Sequence, residues 1–272
     1  FIIKLLKEEE FGLLRSPANA RNIGIINSSS DYIILLDADS ILLDVDFVAK
    51  VSKALENCEW VSIKLIPAGP KGTLIEKAQI MIEKAWLKEH GYYIDDRHAL
   101  RKSALTRLFD ADLGIGEDHE FFEKYLREKM GKRPCFVDTM LGTMVPATLS
   151  RLIKRYLWYG RTAPLFYLKI HKNLTKVFKA IYDNRGMLFS PLILLGAFIS
   201  IPFDRTLSLL LFILYLYLRI RFFFKIPRKY RSLKLFTVAS ILQLIAALSY
   251  LYGFTYGLLR IIMKSNVKVS RD

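Results

Sequence analysis

Apolar residues at Ala20, Ile23 and Ile26 recur at the spacing of a short helix, and Tyr32 to Leu36 is an almost unbroken apolar run. Ser28, Ser29, Ser30 and Asp31 lie between them and carry turn chemistry. The order predicts a helix, a turn and a strand buried on both faces, as in a parallel sheet. Further on, Phe47, Val48, Val51 and Leu55 predict a helix packed on that sheet, and Trp60 to Ile66 alternates as a strand. Pro67 to Gly72 reads as a loop, and Ile75, Ala78, Ile82, Ala85 and Trp86 share one face of a helix over Thr73 to His90. A strand within Tyr92 to Leu105, a helix from Glu117 to Met130 and a strand over Lys132 to Val137 complete the first half, with Asp138 to Pro146 as a loop. Strands alternating with helices predict an α/β fold with a mostly parallel sheet.

The pattern changes after about residue 147. Leu149 to Ala163 mixes Arg151, Lys154, Arg155 and Arg161 with Leu152, Ile153, Leu157, Trp158 and Tyr159, and Leu165 to Tyr182 continues it. That is the composition of amphipathic helices lying in a lipid headgroup layer. Three uncharged runs follow, Met187 to Phe203 with 17 residues, Thr206 to Leu218 with 13 and Leu235 to Leu259 with 25. Crossing a bilayer takes about 20 helical residues. The runs predict spans near 187–203, 206–224 and 235–262, the second lengthened if Arg219 and Arg221 snorkel. The expected organisation is a catalytic domain over 1–147, interfacial helices over 148–185 and a transmembrane region over 186–272.

The net charge of +15 invites a nucleic-acid reading until it is divided along the chain. Residues 1–145 hold 20 Lys and Arg against 23 Asp and Glu, and residues 146–272 hold 21 against 3. The excess therefore belongs to the apolar half, where cations flank a membrane rather than a nucleic acid. The connection Arg219 to Lys234 bears seven cations and no acid, which predicts a cytoplasmic placement for it and for the first domain. Gly253 and Gly257 form a small-x-x-x-small face for helix association within the chain or between copies of it. Cys58 and Cys135 show no framework spacing and read as reduced thiols of a cytosolic domain.

Two acidic motifs carry the chemistry. If the first strand runs on into Asp37-Ala38-Asp39, alternation points both acids the same way at the sheet's carboxyl edge, where such folds bind ligands. Two like charges so close call for a cation, and all-oxygen ligands suit Mg²⁺ or Mn²⁺. The second motif is Gly116-Glu117-Asp118-His119 at a helix start. Taken alone, each has an ordinary explanation, a solvated loop or a helix cap. The string Ala20-Arg21-Asn22-Ile23-Gly24, the apolar strand, the Asp37-x-Asp39 triplet and an acid pair some eighty residues later together resemble family 2 glycosyltransferases of the GT-A fold. The resemblance covers roughly residues 15–165. It implies that Asp37 and Asp39 hold the metal and the donor diphosphate, and that Arg21 and Asn22 lie by the nucleotide. It implies further that Arg101 and Lys102 stand beside the diphosphate, and that Asp118 is the general base supported by Glu117 or His119. The string Arg155-x-x-Trp158-Tyr159-Gly160-Arg161 resembles the family's closing segment, which implies that Arg155, Trp158 and Arg161, with His119, line the acceptor site.

The family normally opens with two strand–helix units that grip the nucleotide base. Neither is present before Phe1, so the chain is expected to be the later part of a longer protein. The activity implied is inverting transfer of a sugar from a nucleotide-diphosphate donor to a lipid or lipid-linked acceptor, by a multi-pass protein of the cell membrane. Two other readings stay open at this stage. One is a processive polysaccharide synthase, and the other a non-catalytic membrane scaffold with a degenerate transferase domain.

Overall fold

The computed structural model of the chain describes residues 6, 8–11, 16–90, 98–171 and 185–263. It divides into two compact units, Phe1–Ile66 with Tyr92–Met144 and Leu258–Asp272, and Pro67–Gly91 with Val145–Gly257. Expectations for 172–184 and 264–272 lie outside the described residues.

The first unit is α/β. Ser16 caps helix α1 (Pro17–Asn27) by accepting from the Asn19 N–H at 3.1 Å, and Pro17 stands in the first turn where no donor is needed. Strands β1 (Tyr32–Ile34), β2 (Ser40–Leu42), β3 (Trp60–Ala68), β4 (His98–Arg101) and β5 (Cys135–Met144) form one sheet in the order β1-β4-β3-β5-β2. The ladders β1–β4, β3–β4 and β2–β5 are antiparallel, and the sheet as a whole is mixed and curled where a mostly parallel one was expected. An apolar run states that a strand is buried but not which way its neighbours point. The register shows why burial works. Trp60 pairs with Leu100 and faces a cluster of Ala18, Ile25, Ile33, Phe109, Phe121 and Phe122. Val61 pairs with Ala99 on the other face, against Phe47, Val51 and Leu55 of α2 (Phe47–Leu55). Strand alternation therefore divides the core into two layers.

Several local expectations shift. The inward face of α1 is Ala18, Asn19, Asn22, Ile23 and Ile25, whereas Ile26 is exposed, and the Asn22 amide is bonded both ways to the Phe109 backbone. Strand β5 runs through the stretch expected to be a loop after Val137, since Leu141, Gly142 and Thr143 pair with β2. His98 is a core residue that takes the Trp60 indole N–H at 3.0 Å. Cys58, in the turn after α2, is joined to Cys135 at the start of β5 by a disulfide with a Cα–Cα distance of 6.2 Å. This corrects the expectation of reduced thiols. The two are 77 residues apart in sequence, and only the adjacency of β3 and β5 brings them together.

The second unit is helical. Thr73 and Glu76 open α3 (Leu74–His90) with a reciprocal capping box, Thr73 Oγ1 taking the Glu76 N–H at 3.1 Å and Glu76 Oε2 taking the Thr73 N–H at 2.8 Å. Ala78, Met81 and Ala85 then pack with Leu152 of α5 (Leu149–His171) and with Ile226, Ala239 and Leu242. Three apolar helices follow α5 in sequence, α6 (Arg185–Ser200), α7 (Arg205–Lys225) and α8 (Leu233–Ile262). Of these, α7 and α8 are long and apolar enough to cross a membrane, which marks the chain as membrane-associated. Among the described residues α6 has 16 residues and reaches only about 24 Å.

Two features of this unit differ from expectation. Arg219 does not snorkel. It is 8% exposed, its guanidinium donates to Gln243 and Ser240 of α8, and Phe222 and Phe236 flank it at 5.1 and 5.2 Å. A cation inside an apolar helix pair costs least when its donors find partners there. Second, the Gly253–Gly257 face is taken up by α5 of the same chain. A Cβ on Gly253 would lie 2.4 Å from Leu157 O and one on Gly257 2.2 Å from Arg161 O, and on the facing helix one on Gly160 would lie 2.1 Å from Tyr250 O. So α5 packs backbone to backbone on α8. On this basis Gly253→Ala should destabilise the detergent-solubilised protein by on the order of 3 kcal/mol in thermal unfolding, an overpacking cost. Gly196→Ala, whose Cβ meets only Leu211 Cδ1 at 3.6 Å, should cost nothing measurable.

Candidate functional site

Arg21 lies on α1, and its guanidinium gathers three carboxylates from distant parts of the first unit. Nη2 donates to Asp37 Oδ1 at 3.0 Å, Nη1 pairs with Glu117 Oε1, and Nη2 stands 4.0 Å from Asp118 Oδ2. The Arg21 side chain is 11% exposed, those of Glu117 and Asp118 5% and 16%, and that of Asp37 39%. Phe109 stacks beside the guanidinium at 5.7 Å from its ring centre.

Local structure explains how each group arrives. Asp37 is not on a strand. β1 ends at Ile34, and the Ser40 N–H returns to Asp37 O at 2.9 Å, so Asp37 to Ser40 is a tight turn leading into β2. The alternation argument that paired Asp37 with Asp39 therefore fails, because the backbone bends between them. Asp39 is tied at its backbone, its carbonyl accepting from the Met144 N–H at 2.8 Å. Asn22, next to Arg21, brackets the backbone of Phe109, its Nδ2 donating to Phe109 O at 3.0 Å and its Oδ1 accepting the Phe109 N–H at 2.9 Å. This buried amide fixes the loop ahead of the second motif. Gly116, at φ +74°, then turns the chain into α4 (Glu117–His119), which continues as a wide π-type helix over Glu120–Lys129. A side chain at 116 would be strained in that left-handed conformation. Asp118 Oδ1 accepts the His119 N–H at 2.8 Å.

Electrostatics follow from the enclosure. Burial works against the charge on Arg21, but Asp118, Glu117 and Asp37 together outweigh it and raise the guanidinium above its ordinary range. Glu117 is pushed from 4.5 up to about 7, by burial first and by repulsion from Asp118 second, while Arg21 acts in the opposite sense. Among the described residues one guanidinium faces the three acid groups.

The remaining expected site residues have other partners. Arg101 Nε donates to Leu55 O at 2.5 Å and its Nη2 donates to Glu56 O, so it caps the end of α2. Lys102 Nζ donates to Ser28 O in the α1–β1 turn. In the structure both serve as backbone ties. Arg155, Trp158 and Arg161 belong to the second unit. Arg155 Nε donates to Tyr159 Oη at 2.9 Å, and the Arg155 charge partly offsets the rise that burial imposes on Glu83. Trp158 packs on Tyr159 with ring centres 5.3 Å apart, and the Arg161 backbone meets Gly257. The sequence reading missed Phe109 and Glu83. Asking what offsets the charge of Arg155 would have pointed to an acid on the inward edge of α3.

Among the described residues no three His, Cys, Asp or Glu side chains form a group that could hold a metal ion. The carboxylates of Asp37, Glu117 and Asp118 turn to Arg21 instead of a common point, so the described residues do not make a Mg²⁺ or Mn²⁺ site by themselves.

The raised Glu117 generates a pH prediction. Between pH 4.5 and 7 the folded protein keeps a proton on Glu117 that the unfolded chain has released, so stability falls as pH rises through that window and is level above it. Glu117→Gln lacks this loss. From pH 5 to pH 8 the stability of the variant relative to wild type should rise, by up to about 3 kcal/mol, in thermal unfolding at the two pH values. Comparison of the chain with known protein families and with curated proteins finds no match.

Proposed function

We propose that this chain is the membrane-anchored part of an inverting family 2 glycosyltransferase with a GT-A-type domain. It moves a sugar from a nucleotide-diphosphate donor to a lipid or lipid-linked acceptor at the cytoplasmic membrane face. The observation that carries the reading is the Arg21 cluster. Asp37 and the Glu117–Asp118 pair, eighty residues apart and singled out by resemblance, gather around one buried guanidinium. A scattered pair of solvated acidic loops would have no reason to do so.

In this reading Asp118 is the general base. It takes the proton of the acceptor hydroxyl while that oxygen bonds to the anomeric carbon, and the bond from that carbon to the donor diphosphate breaks on the opposite face, which inverts the centre. An acceptor that is already a phosphate anion needs no such base. Glu117, nearly buried and with its proton held to about pH 7, adds little negative charge beside the base. Asn22 acts by fixing the loop that precedes Glu117, and Gly116 by allowing the turn into it. Holding the acceptor oxygen in line with the anomeric carbon contributes on the order of 7 kcal/mol in favourable cases. No step here is routed through a divalent ion. His119, Arg155, Trp158 and Arg161 are retained as acceptor-side residues on resemblance, and the two long apolar helices support access to a substrate dissolved in the membrane.

The test is transfer from radiolabelled nucleotide sugars by the full-length protein, with Asp118→Asn as the variant. Transfer should fall by about a hundredfold to ten-thousandfold, the range that a general base contributes, while donor affinity measured by calorimetry changes little. Comparable loss of donor affinity would end the assignment of Asp118 as base. A single added sugar excludes the synthase reading, and absence of any donor binding favours the scaffold.

The Cys58–Cys135 disulfide favours a second placement, since such bonds persist in oxidising compartments rather than in the cytosol. Acid trapping and alkylation of whole cells decide it. Two free thiols support the cytoplasmic face, and a protected pair places the first unit on the other side.

A further inference from the structure

Three acid groups brought together, two of them largely buried, disfavour one another's charged forms unless a cation stands among them. Family resemblance assigns the task to a divalent ion held by Asp37 and Asp39. In this chain Asp37 Oδ1 is 3.0 Å from Arg21 Nη2, Glu117 Oε1 is paired with Nη1 and Asp118 Oδ2 lies 4.0 Å from Nη2. The guanidinium is held from both sides. α1 is fixed by the Ser16 cap and by the two-way hydrogen bond of Asn22 to Phe109, and the Phe109 ring flanks the guanidinium at 5.7 Å. A planar fork with five donors can serve several carboxylates at once, which an ammonium or a loosely held ion does less well.

We propose that Arg21 is the resident counter-ion of the Asp37–Glu117–Asp118 cluster and takes the place of a divalent metal there, so that the assembly of these carboxylates is independent of Mg²⁺ and Mn²⁺. The consequence for chemistry is specific. A positive group delivered by the fold stands 4.0 Å from the Asp118 carboxylate and holds it in place without metal binding. Arg21 is thus a positioning residue for the base Asp118 in the free protein, whatever the donor proves to be. The inference deepens the transferase reading but its test does not need transfer to occur.

The experiment uses the full chain in detergent and Mn²⁺ alone as probe. Thermal unfolding is followed in EDTA and in 1 mM Mn²⁺, with Mn²⁺ binding counted in parallel by electron paramagnetic resonance. Wild type should unfold within about 1 °C of the same temperature in both and bind no Mn²⁺ with a dissociation constant below about 0.1 mM, because a ligand at many times its dissociation constant would shift the midpoint by several degrees. Arg21→Ala should lower the midpoint in EDTA and recover part of the loss in Mn²⁺, the ion now filling the vacated position. Arg21→Lys should keep the insensitivity to Mn²⁺ at reduced stability. A saturable rise of several degrees for wild type overturns the proposal, and that measurement stands even if Arg21→Ala does not fold. An Arg21→Ala protein as stable as wild type in EDTA overturns it as well. Failure of the transferase reading would show instead as absent donor binding with these results unchanged.

Discussion

A buried guanidinium among three carboxylates is the interaction on which the first unit turns. Removing a charge from water is costly, and the cost is met only when partners surround it with good geometry. Arg21 satisfies that condition through Asp37, Glu117 and Asp118, which come from a turn after β1 and from the start of α4. Its placement in turn depends on Asn22, which holds Phe109, and on Gly116, which permits the left-handed turn. Backbone hydrogen bonds to one amide and a single glycine conformation therefore determine where two acids stand.

The second unit solves a similar problem with different means. Its helices are apolar enough that burial alone does not select which face meets which. Close backbone approach at Gly160, Gly253 and Gly257 selects the pairing of α5 with α8, since only there can the two helices come so near. Arg219 ties α7 to α8 by donating from Nη1 to Gln243 and from Nη2 to Ser240.

Much of the local structure was legible along the chain. Helices α2 and α3 were readable from the spacing of Phe47, Val51 and Leu55 and of Ala78, Ile82 and Ala85, and β3 from its alternation, because amphipathic period is a local property. The acids Asp37, Glu117 and Asp118 were readable as a set by resemblance. The direction of the strands was not, nor was the turn that takes Asp37 off the strand, because pairing partners lie up to a hundred residues away. The backbone ties of Arg101 and Lys102 were not legible for the same cause. A cation beside a helix end and one beside an active site look alike until the carbonyls of Leu55, Glu56 and Ser28 are placed.

What the amino-acid sequence determined by itself is composition and period, namely an acidic α/β half followed by a basic apolar half with helices of membrane length. What only the tertiary structure decided is company. It gave Arg21 to the carboxylates, Cys58 to Cys135 and the Gly253 face to α5. Period is written in neighbouring residues, whereas each of these pairings depends on how the sheet and the helices close in space, which no run of neighbouring residues encodes.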